Sequence, residues 1–182
     1  MTLKEHQKLA KTYIENIKRY MQEAGGLFPH LTIFAKKLET TADDEGHSLI
    51  HIPIPPKYIE SDENKDLLVE DILPTIFDKL KESFTPYGVA WASEAWMRIA
   101  KNEEEFKKGY KDLPIKKEVL MVTIETDHKS ESIIYDINRT GQQINSDGEL
   151  TDKISLRKSK ELNSPTATTS GRFVGLYSKL KA

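Results

Sequence analysis

Few residues in this chain have the type and spacing to do chemistry. Glu94 stands between Trp91 and Trp96 in the stretch GVAWASEAWMRI at residues 88–99. A carboxylate held against aromatic surface loses hydration, and its pKa rises toward that of a general acid. No second carboxylate at a telling spacing accompanies it. The alternative is a salt link from Glu94 to Arg98 or to a cross-strand lysine on a half-exposed face. Of the histidines, His47 and His51 are four apart in a segment that reads as strand, about 13 Å at roughly 3.3 Å per residue. One ion cannot hold both from a regular strand. With no cysteine in the chain and the histidines badly spaced, no metal site and no cofactor are expected. The stretch SPTATTSGR at 164–172 offers amides and hydroxyls for a small anion-binding nest completed by Arg172, without a P-loop or dinucleotide pattern. An enzyme would draw on His30, Glu94 and Arg172; a binding surface would centre on Glu94, Trp96 and Arg98.

Two resemblances attach to particular residues. His30-Leu31-Thr32 resembles one half of the paired H-x-[ST] motif of two-histidine phosphoesterases. That resemblance implies an acid–base histidine and a phosphate-holding hydroxyl. His51-Ile52-Pro53, however, carries proline where the second hydroxyl belongs and follows too closely for that fold. The strand SEAWM (93–97), followed downstream by P-x-x-K-E-V-L (114–120), resembles a group of small uncharacterised proteins of bacteriophages and bacterial genomes. This second similarity covers about the middle third. It implies a phage or mobile-element accessory protein and carries over no activity and no site residue.

The elements that must position these residues follow from periodicity. Thr2 and Glu5 have the spacing of a capping box. Behind them Leu9, Tyr13, Ile17, Tyr20 and Met21 recur at helical spacing until Gly25-Gly26. Segments 31–36 and 47–56 read as two strands of a hairpin with a long polar loop, the second closed by Pro53, Pro55 and Pro56. Residues 62–84 are helical again. Pro74 interrupts them at a cost of about 3 kcal/mol in a helix interior, so a kink or two helices joined near Leu73 is expected. Residues 88–97 alternate as a central strand, Val89, Trp91 and Met97 against Ala90, Glu94 and Trp96. The rival is a helix capped by Ser93; the strand with a helix only from Asn102 is preferred. EVLMVTIET-DHKS-ESIIYDINR predicts a hairpin with a four-residue loop, Val122 opposite Tyr135 and Leu120 opposite Ile137. A polar loop at 140–149, a strand at 150–160 and a short closing strand at 171–180 complete the chain.

The whole is expected to be a single α+β domain over residues 1–182, with a mostly antiparallel sheet of about five to seven strands and two main helices packed on one face. The length of 182 residues suits one core, and a net charge of −2 exerts no global pull on nucleic acid or anionic lipid. The amphipathic start with Glu5, Glu15 and Glu23 is no signal peptide, and no apolar run approaches a membrane span. These features fit a cytoplasmic protein. The basic C-terminal third lacks any nucleic-acid signature, so nucleic acid is not an expected partner. The leading functional expectation is a non-enzymatic binding or assembly domain that self-associates through an open sheet face around Trp96. The alternative is an enzyme or binding protein for a small phosphorylated or nucleotide ligand.

Overall fold

A computed structural model describes residues 3–38, 47–99, 102–107, 113, 115–160, 173 and 175–181. The Thr2 cap, the loop at 39–46 and the Ser/Thr-rich stretch with Arg172 lie outside the described residues.

Helix α1 (Leu3–Ala24) leads into β1 (His30–Lys37) and β2 (His47–Pro53). Two short helices, α2 (Lys57–Glu60) and α3 (Asp62–Leu67), run through a π-helical turn (Leu68–Ile72) into α4 (Leu73–Lys81). Then come β3 (Phe84–Ile99), α5 (Glu103–Lys107), β4 (Ile115–Thr126), β5 (Ser130–Ile144), β6 (Leu150–Lys158) and α6 (Leu176–Lys181). The strands form one antiparallel sheet in the order β2-β1-β3-β4-β5-β6. The α+β class and the strand number are as expected. Pro74 falls near the start of α4, directly after the π-helical turn. Ile72 and Leu73 stay helical, so the proline is met by a locally widened helix and the run does not divide. Ser61 caps α3 by accepting from the Asn64 amide at 3.1 Å.

The two main helices do not share a face. Tyr13, Ile14, Ile17 and Met21 of α1 pack with Phe34, Ala90, Ala92 and Val122. Leu73 and Phe77 of α4 pack with Leu31, Ile33, Val89 and Trp91 on the other side. Alternate residues of β1 and β3 are thus buried in opposite directions, as in a strand covered on both sides. The small Ala90 and Ala92 leave room for α1, while Trp91 fills the space beneath α4 and α6. No face of the sheet centre is left open.

Three local expectations are corrected. The 118–139 hairpin pairs Val122 with Ile133 and Leu120 with Tyr135. The Thr126 amide donates to the Lys129 carbonyl at 2.9 Å, so the turn is tighter than a four-residue loop and the register moves by two. A shift of two keeps every side chain on its face, and Leu120, Val122 and Ile124 are buried under α1. Second, the polar 140–149 segment is not all loop. β5 continues to Ile144 past a bulge between Arg139 and Gln142, where Gly141 adopts φ 124°. Third, the end of the chain is helical. Glu125, buried on β4, accepts from the Gly175 and Tyr177 amides at 2.6 and 2.7 Å. It thereby satisfies the first turn of α6, whose Leu176, Tyr177 and Leu180 are buried.

Candidate functional site

The site forms where α1 leaves the sheet. α1 lies mainly over β4 to β6, so the opposite edge strand is uncovered on that side. Leu49, His51 and Pro53 of β2 are exposed there, alternating with the half-buried Ser48, Ile50 and Ile52. The result is a cavity of about 940 Å³ between the C-terminal half of α1, β1, β2 and the proline segment after it. Its walls are largely apolar: Tyr20, Phe28, Leu49, Ile54, Pro55 and Pro56. Tyr20, Phe28 and Leu49 keep about half or more of their surface in water, at 53%, 74% and 47%. Asn16, Arg19 and Glu23 also line it.

Its floor is polar and connected. In the β1–β2 register Thr32 faces His51, and His30 faces Pro53. Residues opposite one another in an antiparallel pair point to the same side, so His30 and His51 share the cavity with ring centroids 6.2 Å apart. His51 Nδ1 lies 2.8 Å from Thr32 Oγ1, Thr32 Oγ1 lies 3.3 Å from Tyr13 Oη, and Tyr13 Oη lies 3.3 Å from His30 Nε2. His30 Nδ1 donates to the Phe28 carbonyl at 3.1 Å. Burial pushes the Tyr13 hydroxyl up to about 12, against a smaller opposing effect of the Thr32 hydrogen bond. Burial also holds His30 below the ordinary imidazole value.

Of the candidate residues singled out from sequence, His30 and His51 line this cavity, while Glu94, Trp96 and Arg98 do not. Glu94 lies in a separate cluster, bound to neither Arg98 nor a lysine. The Arg139 guanidinium on β5 spends all its donors at once. Nη2 reaches Glu94 and Glu118, both at 2.8 Å; Nη1 reaches Asp152 at 2.8 Å and the Gly25 carbonyl at 2.9 Å; Nε adds Glu118 at 3.1 Å. Glu94 Oε1 also accepts from the Leu27 amide at 2.5 Å. Burial raises the Glu94 carboxyl, more than the Leu27 amide and Arg139 lower it. With Gln143 on the Gln22 carbonyl, Arg139 satisfies carbonyls that α1 and the turn after it leave open. The cluster fastens the end of α1 to the sheet and commits both Glu94 oxygens to structural partners. Gly25 is held there as well: at φ 73°, a Cβ would meet the Asp152 amide nitrogen at 2.6 Å.

Arg98 donates to the Leu113 carbonyl at 3.0 Å. Trp96 is 61% exposed, because α1 has ended before this level of β3 is reached, not because a face of the sheet is bare. His47 pairs with Tyr87 at 3.2 Å and does not line the cavity that His30 and His51 share. Among the described residues no group of three or more His, Cys, Asp or Glu side chains could hold a metal ion, and no helix is long and apolar enough to cross a membrane. Sequence reasoning missed Tyr13 and Arg139, and it gave Thr32 a phosphate-holding role by resemblance where its hydroxyl instead meets Tyr13 and His51. Tyr13 reads as one more core position on α1. The signal that could have found the cluster was the β1–β2 register, which places Thr32 beside His51.

Compared with protein-family models, curated proteins and solved structures, the chain gives no match.

Proposed function

We propose that this protein is a binding domain for a small, largely apolar molecule, held in the cavity between α1 and the β1–β2 hairpin. One observation supports this reading above the others: apolar, aromatic walls flank a floor reached by Tyr13, His30 and His51, which the buried Thr32 hydroxyl ties together. Ligand sites have that character, with volumes of roughly 300–1,000 Å³. The volume here is about 940 Å³. Assembly through an open sheet face has less support, since helices cover both faces. A phosphorylated ligand also has less support. Arg19 is the one guanidinium among the described lining residues, and Glu23 stands in the same wall.

A thermal-shift screen with small aromatic and alicyclic compounds tests the reading, because a ligand that binds only the folded state raises its melting temperature. The control is Asn16→Trp. Asn16 is exposed on α1 and lines the cavity, so an indole there fills the mouth without disturbing the core. Shifts seen with the wild type and lost in N16W place binding in the cavity. Shifts that persist in N16W overturn the assignment.

A further inference from the structure

Counting protons along the cavity floor fixes a direction. The Phe28 carbonyl can only accept, so His30 Nδ1, 3.1 Å from it, carries that ring's proton. Burial disfavours the imidazolium form of His30. The neutral ring has a bare Nε2, and the Tyr13 hydroxyl at 3.3 Å must donate to it. Tyr13 has one proton, now used. The Thr32 hydroxyl, 3.3 Å from the Tyr13 oxygen, must then be the donor of that pair. Thr32 also has one proton, so in the 2.8 Å contact with His51 it is His51 Nδ1 that donates. A neutral His51 has no proton left for Nε2. Each step follows from what the previous group can no longer give, and the chain ends at the exposed histidine in the cavity wall.

We infer that His51 Nε2 is a fixed hydrogen-bond acceptor in the cavity, and that the ligand class is a hydroxylated aromatic molecule, a phenol, whose O–H donates to it. This rests on the ligand-binding reading above. The aromatic body is called for by Tyr20, Phe28 and the prolines around the mouth, which offer flat apolar surface to a ring. The hydroxyl is called for by the bare nitrogen, since an acceptor that a ligand covers without matching it costs affinity. An anion brings no donor, and a pure hydrocarbon brings no polar group. Thr32, Tyr13 and His30 are positioning residues for His51. They do not relay a proton onward, because its destination would be a charged His30 in a site that disfavours the charge.

The test titrates phenols that stay un-ionised at neutral pH paired with their methyl ethers, para-cresol and para-methylanisole among them, against the wild type, His51→Phe, Thr32→Val and Asn16→Trp. The wild type is expected to bind each phenol about tenfold tighter than its ether, the worth of one good hydrogen bond. His51→Phe should abolish that preference, Thr32→Val should narrow it, and Asn16→Trp should remove binding of both. Nitrogen-15 NMR of the histidine rings gives a direct readout. His51 should be the Nδ1–H tautomer in the wild type and turn toward Nε2–H in Thr32→Val, while a thermal melt verifies that the variant is folded. Equal affinity for phenol and ether, or an Nε2–H tautomer in the wild type, overturns the acceptor and leaves the cavity reading standing. Binding of neither member of any pair overturns both.

Discussion

Arg139 and Glu94, on strands separated by β4, are joined by an ion pair of 2.8 Å that passes beside Glu118. Removing the guanidinium would leave three carboxylates around an empty space and the Gly25 carbonyl without its donor. The groups are partly solvated, Glu94 at 24% and Asp152 at 46%, so the loss is smaller than for a fully buried pair. Arg139→Met is expected to destabilise the fold by about 2 kcal/mol, the scale of a hydrogen-bonded charge. Arg139→Lys should recover only part of it, since an ammonium cannot span the fork. Urea denaturation of both variants checks this. A melt of Arg139→Met unchanged from the wild type would show that the cluster is ornamental.

Val122 is 1% exposed and packs with Ile14 and Ile17 of α1. Val122→Asp puts an unpaired carboxylate into that layer at a cost of several kcal/mol, and the protein is expected not to fold. Soluble, cooperatively melting V122D would mean that this face of β4 is not covered by α1.

What was legible follows from what periodicity encodes. The alternation in residues 88–97 and in the 118–139 hairpin fixes faces, and those faces hold. Register depends on the turn, and Asp127-His128 turns more tightly than DHKS suggests. Likewise Pro74 announces an irregularity in the 62–81 run, met by the π-helical turn before it, but nothing local says which side of the sheet each helix takes. That choice is written in β3, where Ala90 and Ala92 admit one helix and Trp91 meets another. Contacts between distant segments were not legible. His51 reaches Thr32 only through β-pairing between segments far apart in sequence, and Arg139 gathers Glu94, Glu118 and Asp152 from three strands.

The two tryptophans should behave differently. Trp91 is 2% exposed, stacks on Phe173 with centroids 3.9 Å apart, and donates to Ser93 Oγ. Trp91→Ala is expected to cost about 3–5 kcal/mol as a core truncation. Trp96, at 61% exposure, should tolerate alanine within about 0.5 kcal/mol, as surface positions do. Denaturant midpoints of the two variants decide it, and similar losses at both sites would contradict the placement of Trp96.

His6 supplies a pH dependence whose sign can be worked out. His6 is fully buried, Nδ1 lies 2.9 Å from Thr126 Oγ1, and Nε2 has no partner among the described residues. Burial lowers its pKa first, the charges of Lys129 and His128 lower it further, and Glu131 opposes them. The unfolded chain takes up this proton near 6.5, while the folded ring resists it until a lower pH. The contribution of His6 to stability is therefore complete above 6.5 and is lost as pH falls toward the folded value. His30, also lowered by burial, adds a loss of the same sign. Urea midpoints of the wild type should fall steadily as the buffer is acidified through this range. His6→Gln keeps a polar side chain that does not titrate there, and its midpoints should fall less steeply. Adding His30→Gln should flatten the slope further. An acid slope unchanged by both substitutions would show that neither ring is held neutral by burial, and that the carboxylates alone set the response to acid.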